Sequence, residues 1–164
     1  MAFTAVYASP TKHRRSRIWE ELYKISCGTS DPWLIARDFN EIKSPEEQKG
    51  GGRINESRCR KFNEWIQNCN LLDIEAYGPF FTWKGPKWKG LERVYKRLDR
   101  CLCNAHWQER FNKANVRIVP RLGSDHHPMV GRLKEEIKGC QVRPFRFQAA
   151  WLLHDQFDEF LSRN

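Results

Sequence analysis

No stretch of this sequence approaches the roughly 20 consecutive apolar residues that a helix needs to cross a bilayer. The opening segment, Met1 to Tyr7, is apolar but short. It has neither the basic front nor the small-residue cleavage site of a secretory signal. An intracellular chain that is not secreted is therefore expected. None of the six cysteines, at positions 27, 59, 69, 101, 103 and 140, falls in a C-x-x-C pair, which argues against a zinc site. Outside a secretory context they read as reduced thiols, with Cys101 and Cys103 filling core space on one face of a strand. No internal repeat is visible, and acidic residues are outnumbered by basic ones.

What is present suits one domain with a modest core. The chain has 164 residues, of which 40% are hydrophobic, and seven are tryptophan; it is globular rather than disordered. With 29 Lys and Arg against 20 Asp and Glu, the net charge is +9. That excess favours a polyanionic partner, because each phosphate contact releases condensed counterions. A solvated basic surface would produce the same count, so placement decides. His13-Arg14-Arg15-Ser16-Arg17 forms one basic cluster, which starts a helix or serves as an import signal. Lys84, Lys87, Lys89, Arg93, Lys96, Arg97 and Arg100 form another, interleaved with Phe81, Trp83, Trp88 and Tyr95. Such a mixture grips a phosphate backbone and stacks on bases, with Trp83 and Arg97 as candidate contacts. Some of these aromatics are expected in the core.

Periodicity and turn residues outline the elements. Phe3 to Tyr7 reads as a strand, followed by a helix carrying Ile18, Leu22 and Ile25 and ended by Gly28. Asp31-Pro32 turns the chain into a strand, Trp33 to Ala36, which delivers Asp38 at its carboxyl end. Ser44 to Asn55, with Gly50-Gly51-Gly52, lacks periodicity and reads as a mobile surface loop. Phe62, Trp65, Ile66, Cys69 and Leu72 trace the packing stripe of the clearest helix. Short strands follow at Leu72 to Glu75 and Phe81 to Lys84, separated by the turn Tyr77-Gly78-Pro79. Val94 to Leu102 reads as one strand carrying Asp99. A helix at Ala105 to Phe111 and strands at Val116 to Val119 and Pro128 to Leu133 complete the set. Residues 140–164 change character to an amphipathic, linker-like tail, leaving 1–139 as the domain.

Two oxygen-rich clusters stand at strand ends, Asp38-Phe39-Asn40 and Ser124-Asp125-His126, and between them Arg97-Leu98-Asp99-Arg100 adds a third acidic position on a strand-like stretch. Singly, each has a plain reading as a self-capping turn, a surface ion pair or a loop satisfying its own backbone. Jointly, they offer carboxylates and an amide suited to a hard cation, and a histidine suited to a phosphate. Together with Val6-Tyr7, Phe81-Thr82-Trp83 and His127-Pro128, they resemble the endonuclease/exonuclease/phosphatase superfamily. The pattern is most similar to the endonuclease domain of plant LINE-type non-LTR retrotransposons, over about Phe3 to Leu133.

The resemblance implies an α/β fold, a DNase I-like four-layer sandwich, and hydrolysis of phosphodiester bonds in DNA with Mg²⁺ or Mn²⁺. It implies that Asp38 activates the attacking water and that Asn40 orients the groups around the phosphate. His126 stabilises the phosphate charge, Asp99 holds His126 in its tautomer, Asp125 belongs to the metal-side cluster and Tyr7 contacts phosphate. A nuclear location and a downstream reverse transcriptase domain would follow; no membrane or small-molecule cofactor is implied. Two departures stand against the pattern. Only Met1 and Ala2 precede Phe3, so the strands that bear the family's Asn and metal-binding Glu are lacking, which implies weak metal binding, impaired activity and an uncovered apolar face. Arg37 occupies the position of the family's Gly before Asp38, where strand alternation would aim a guanidinium at packed structure. The alternatives are an inactive remnant with nonspecific nucleic-acid affinity, and a phosphatase of the same superfamily, which the basic balance disfavours.

Overall fold

The structure, a computed structural model, describes residues 1–87, 89–90 and 92–133. The linker-like tail read at 140–164, and the end of the domain read at 139, lie outside the described residues. In chain order the elements are β1 (Ala2–Tyr7), α1 (Lys12–Gly28), β2 (Trp33–Asp38), a 3-10 turn (Pro45–Glu47), β3 (Gln48–Lys49) and α2 (Glu56–Asn68). They continue with β4 (Leu72–Asp73), β5 (Ala76–Tyr77), β6 (Trp83–Lys84), β7 (Tyr95–Lys96), β8 (Asp99–Cys103), α3 (Ala105–Arg110), β9 (Asn115–Ile118) and β10 (Met129–Arg132).

The strands form three sheets. The first has the order β1-β2-β8-β4, the second β10-β9-β5 and the third, small one β3-β7-β6. Parallel pairing of β1 with β2, across α1, is the usual consequence of a helical crossover. Alternation along β2 sends Trp33 and Ile35 to one face of the first sheet, where α1 and α2 lie. There Trp19, Phe39, Phe62 and Trp65 stack with centroids 4.6 to 6.2 Å apart. Such aromatic contacts dominate core energetics because each ring removes a large apolar area from water. The opposite face carries Cys101 and Cys103 against Ile74, Trp107 and Val116, so the second sheet packs there. Burial pushes both thiols up, Cys101 to about 12 and Cys103 to about 11, which keeps them inert core fillers.

Three local expectations change. The stripe of α2 ends before Leu72: Asn70 takes a φ of +50°, which stops the helix, and Leu71 is buried while Leu72 is exposed. The segment Ser44 to Asn55 is anchored rather than loose. Glu47 is buried, ion-paired to Arg100, and accepts from the Lys43 N–H at 2.7 Å, while β3 pairs with β7. The single strand read from Val94 to Leu102 is two strands in different sheets, broken at Arg97-Leu98.

Arg37 also departs from expectation. Its side chain is exposed, so no guanidinium is forced into packed structure. What is unusual is its backbone, with φ at +113°, a region that L side chains rarely adopt. Strain of this kind costs on the order of 1–3 kcal/mol. The glycine-like demand on position 37 is therefore conformational rather than a matter of burial.

Candidate active site

Strand register assembles the acidic core of the site. Asp38 lies directly opposite Asp99 across the antiparallel β2–β8 pair, and Tyr7 lies opposite Asp38 across the parallel β1–β2 pair. Neighbouring strands lie about 4.8 Å apart, so residues from three strands share one small area. They stand at the mouth of a cleft of about 710 Å³ between the first and second sheets, whose polar end is lined by Tyr7, Asp38, Asp99, Ser124 and His126.

Asp38 is fixed by its own turn. Its Oδ1 accepts from the Asn40 N–H and its Oδ2 from the Asn40 side-chain amide, both at 2.8 Å, while that amide also donates to the Ala8 carbonyl at 2.7 Å. Asn40 sits at φ +50°, which Asn tolerates better than most side chains. Phe39, between them, is fully buried in the aromatic cluster and anchors the turn. Burial holds the Asp38 carboxyl above the ordinary carboxylate range. The Asn40 backbone N–H opposes that shift, and nearby Asp99 adds to it. A carboxylate held up in this way is a better proton acceptor than a solvated one.

Asp99 and His126 meet at the centre. His126 Nδ1 is 2.8 Å from Asp99 Oδ2, so the ring donates through Nδ1 and keeps Nε2 free. This contact raises the His126 pKa above the ordinary value of 6.5, against the opposing effect of burial. The contact depends on the short segment Thr82 to Lys84, to which sequence reading assigned no positioning task. Thr82 is fully buried, and its Oγ1 accepts from the Leu98 and Asp99 N–H groups at 3.0 and 2.9 Å. It thereby satisfies two donors left free where β7 breaks from β8. The carbonyl of Thr82 accepts from the His127 N–H at 2.8 Å, Trp83 bridges to His126, and the Lys84 N–H donates to the Asp125 carbonyl at 3.0 Å. One extended segment thus grips both the strand that carries Asp99 and the loop that carries His126. An apolar-looking run containing a lone threonine was the signal available in the sequence.

The other expected residues take different places. Asp125 is exposed and does not line the cleft. Its Oδ2 accepts from the Trp83 indole N–H at 2.9 Å, which lowers its pKa. Trp83 packs its ring against the small core of Ile42, Cys59 and Leu98, so it orients Asp125 instead of presenting an open stacking face. Arg97 points elsewhere, 4.0 Å from Asp73 and 5.4 Å from the centroid of the Phe80 ring. Tyr7 is 73% exposed at the cleft. His127 is buried, and its Nδ1 bonds the Val119 carbonyl at 2.7 Å, which makes it a structural neighbour. Arg37, exposed beside Asp38, also lines the cleft.

A Mg²⁺ ion takes oxygen ligands in a near-octahedral set. Asp38 is engaged by Asn40, Asp99 by His126 and Asp125 by Trp83. Among the described residues, no group of three or more His, Cys, Asp or Glu is arranged to hold a metal ion. The described residues thus offer no pre-assembled metal centre, and no step below is routed through one.

The mixed α/β architecture, with two sheets packed face to face, is a DNase I-like fold. The endonuclease domain of TRAS1, a telomere-specific non-LTR retrotransposon, is similar in structure, with a TM-score of 0.60 at 16% identity. The match covers 80% of this chain and 56% of that one. The beta toxin of Staphylococcus aureus matches at a TM-score of 0.49 and 16% identity, over 79% of this chain and 50% of the toxin. This chain thus spans about half the length of the solved structures it matches. No protein-family model and no curated protein matches the sequence.

Thr82→Val keeps the shape but removes the acceptor of two buried N–H groups, and should cost at least about 1–3 kcal/mol in urea unfolding; a loss below about 0.5 kcal/mol would show that the strand break finds other acceptors. For His126, the folded pKa is raised, so its contribution to stability is fully present below the unfolded value and lost as pH rises through the folded one. An NMR titration should place the His126 imidazole above 6.5, and Asp99→Asn should bring it down. An unchanged titration in that variant would assign the shift to another group.

Proposed function

We propose that this chain is the catalytic-face portion of a phosphodiesterase of the retrotransposon endonuclease type, acting on DNA. The observation that carries the reading is the convergence of Asp38, Asp99 and His126 in one cleft, with Asp99 and His126 in 2.8 Å contact. Asp38 accepts a proton from water as the water oxygen bonds to phosphorus. His126, whose charged form Asp99 favours, stabilises the added charge on the phosphate oxygens. One P–O ester bond breaks, and the departing oxygen takes a proton from the solvent or from His126. Tyr7, exposed at the same mouth, contacts the phosphate.

Mg²⁺ or Mn²⁺ belongs to this proposal as an assay variable, because the resemblance implies it while the described carboxylates are otherwise engaged. That engagement is the specific observation favouring a second reading, an inactive domain that binds nucleic acid through its basic surface without cutting it. An intracellular and nuclear setting accords with a DNA substrate, and a reverse transcriptase domain is the expected covalent neighbour.

Nicking of supercoiled plasmid, in buffers with and without Mg²⁺ or Mn²⁺, separates the readings. The chain should nick, and Asp38→Ala or His126→Ala should lower the rate at least about a hundredfold. Equal nicking by all three would assign the cleavage to something other than this site. Binding without nicking, weakening steeply with salt, would favour the second reading.

A further inference from the structure

On the other side of the Asp38-Phe39-Asn40 turn lies a smaller cavity of about 120 Å³. Asn40, Arg53, Arg58 and Lys96 line it, together with Glu41 and Gln48. Its charges do not balance. Glu41 is buried and already answers two cations: Arg15 Nη2 at 2.7 Å from behind, and Arg58, whose guanidinium meets both carboxylate oxygens at 3.0 to 3.1 Å. Lys96 has no carboxylate within ion-pair distance among the described residues, and neither has Arg53. Lys96 is also partly buried, on β7, where desolvation and the neighbouring Arg58 lower its pKa against the opposing effect of Glu41. A partly desolvated ammonium beside a guanidinium, with no acid of its own, is an arrangement that an anion relieves.

We propose that this cavity is an anion subsite for a backbone phosphate of the nucleic acid, held by Lys96 and the outer edge of Arg58, with Arg53 at the rim. The inference rests on the nucleic-acid reading above and extends it by naming where the strand continues beyond the cleft. Geometry supports the continuity, because Asn40 lines this cavity while Asp38, two residues and at most about 7 Å of chain away, lines the cleft. Lys96 differs in this respect from Arg97 and Arg100. Arg97 and Arg100, next in sequence, are taken up by Asp73 and Glu47 and are unavailable to a ligand.

Two measurements on the folded chain decide it. Titration with inorganic phosphate, followed by NMR, should shift the Lys96 side-chain and Asn40 amide signals saturably and raise the Lys96 titration midpoint; no saturable shift overturns the subsite. For DNA, Lys96→Gln should weaken binding several-fold and make the slope of log affinity against log salt shallower by about 0.9, the value of one phosphate contact. An unchanged slope in Lys96→Gln, beside a salt-sensitive wild type, overturns the assignment to the DNA backbone. Absence of any salt-sensitive DNA binding by the wild type would instead overturn the nucleic-acid reading itself, and the phosphate titration would still judge the cavity. Unchanged thermal unfolding of Lys96→Gln confirms that the comparison is between folded proteins.

Discussion

Everything chemical in this molecule depends on a carboxylate from a strand and an imidazole from a distant loop being held 2.8 Å apart. Asp99 and His126 lie 27 positions apart in the sequence. Neither residue could find the other through local propensity. The contact exists because Thr82, Trp83 and Lys84 bond to both neighbourhoods at once, using one hydroxyl, one carbonyl, one indole N–H and one backbone N–H. Such a polar hub is effective because each of its buried groups is satisfied; a half-satisfied one would destabilise the fold.

Charge is partitioned by strand alternation around this hub. On β8, Asp99 faces the cleft, whereas its neighbour Arg100 faces the other way, fully buried against Glu47 and Asp73 and 5.6 Å from the Phe62 ring centroid. The basic residues of the chain therefore do two jobs. Arg15, Arg97 and Arg100 are counterions for internal carboxylates. Removing either member of the buried Arg15–Glu41 or Arg100–Glu47 pair would leave an uncompensated charge in a low-dielectric setting, which is strongly destabilising. Lys96 and the outer edge of Arg58 stay available to solvent or ligand on the flank of the cleft. Net charge alone could not have made that division.

Much of the fold was legible because it rests on periodicity. The stripe of Phe62, Trp65 and Ile66, the alternation in Trp33 to Ala36, and the strand end that presents Asp38 all follow from side-chain spacing. What was not legible depends on long-range satisfaction of backbone groups. The break between β7 and β8 is set by an acceptor sixteen and seventeen residues away, on Thr82. The order in Ser44 to Asn55 is set by Glu47 reaching a buried Arg100, an ion pair with no local signature. Arg37 shows the same limit in reverse. Alternation predicted a buried guanidinium, but a φ of +113° takes the residue out of regular strand geometry and leaves it exposed. In the site, the motif residues Asp38, Asp99 and His126 were found together, while Asp125, Trp83 and Arg97 proved to be engaged within the protein itself.

Nitrogen-15 chemical shifts of the His126 imidazole, recorded above its titration midpoint, test the centre of this account most directly. Donation to Asp99 requires the proton on Nδ1, leaving Nε2 bare towards the cleft. The account predicts a protonated-type shift at Nδ1 and an unprotonated-type shift at Nε2, with the preference lost in Asp99→Asn. A ring protonated mainly at Nε2 would contradict it, because the imidazole would then be unpaired with Asp99 and the carboxylate–imidazole couple would not exist.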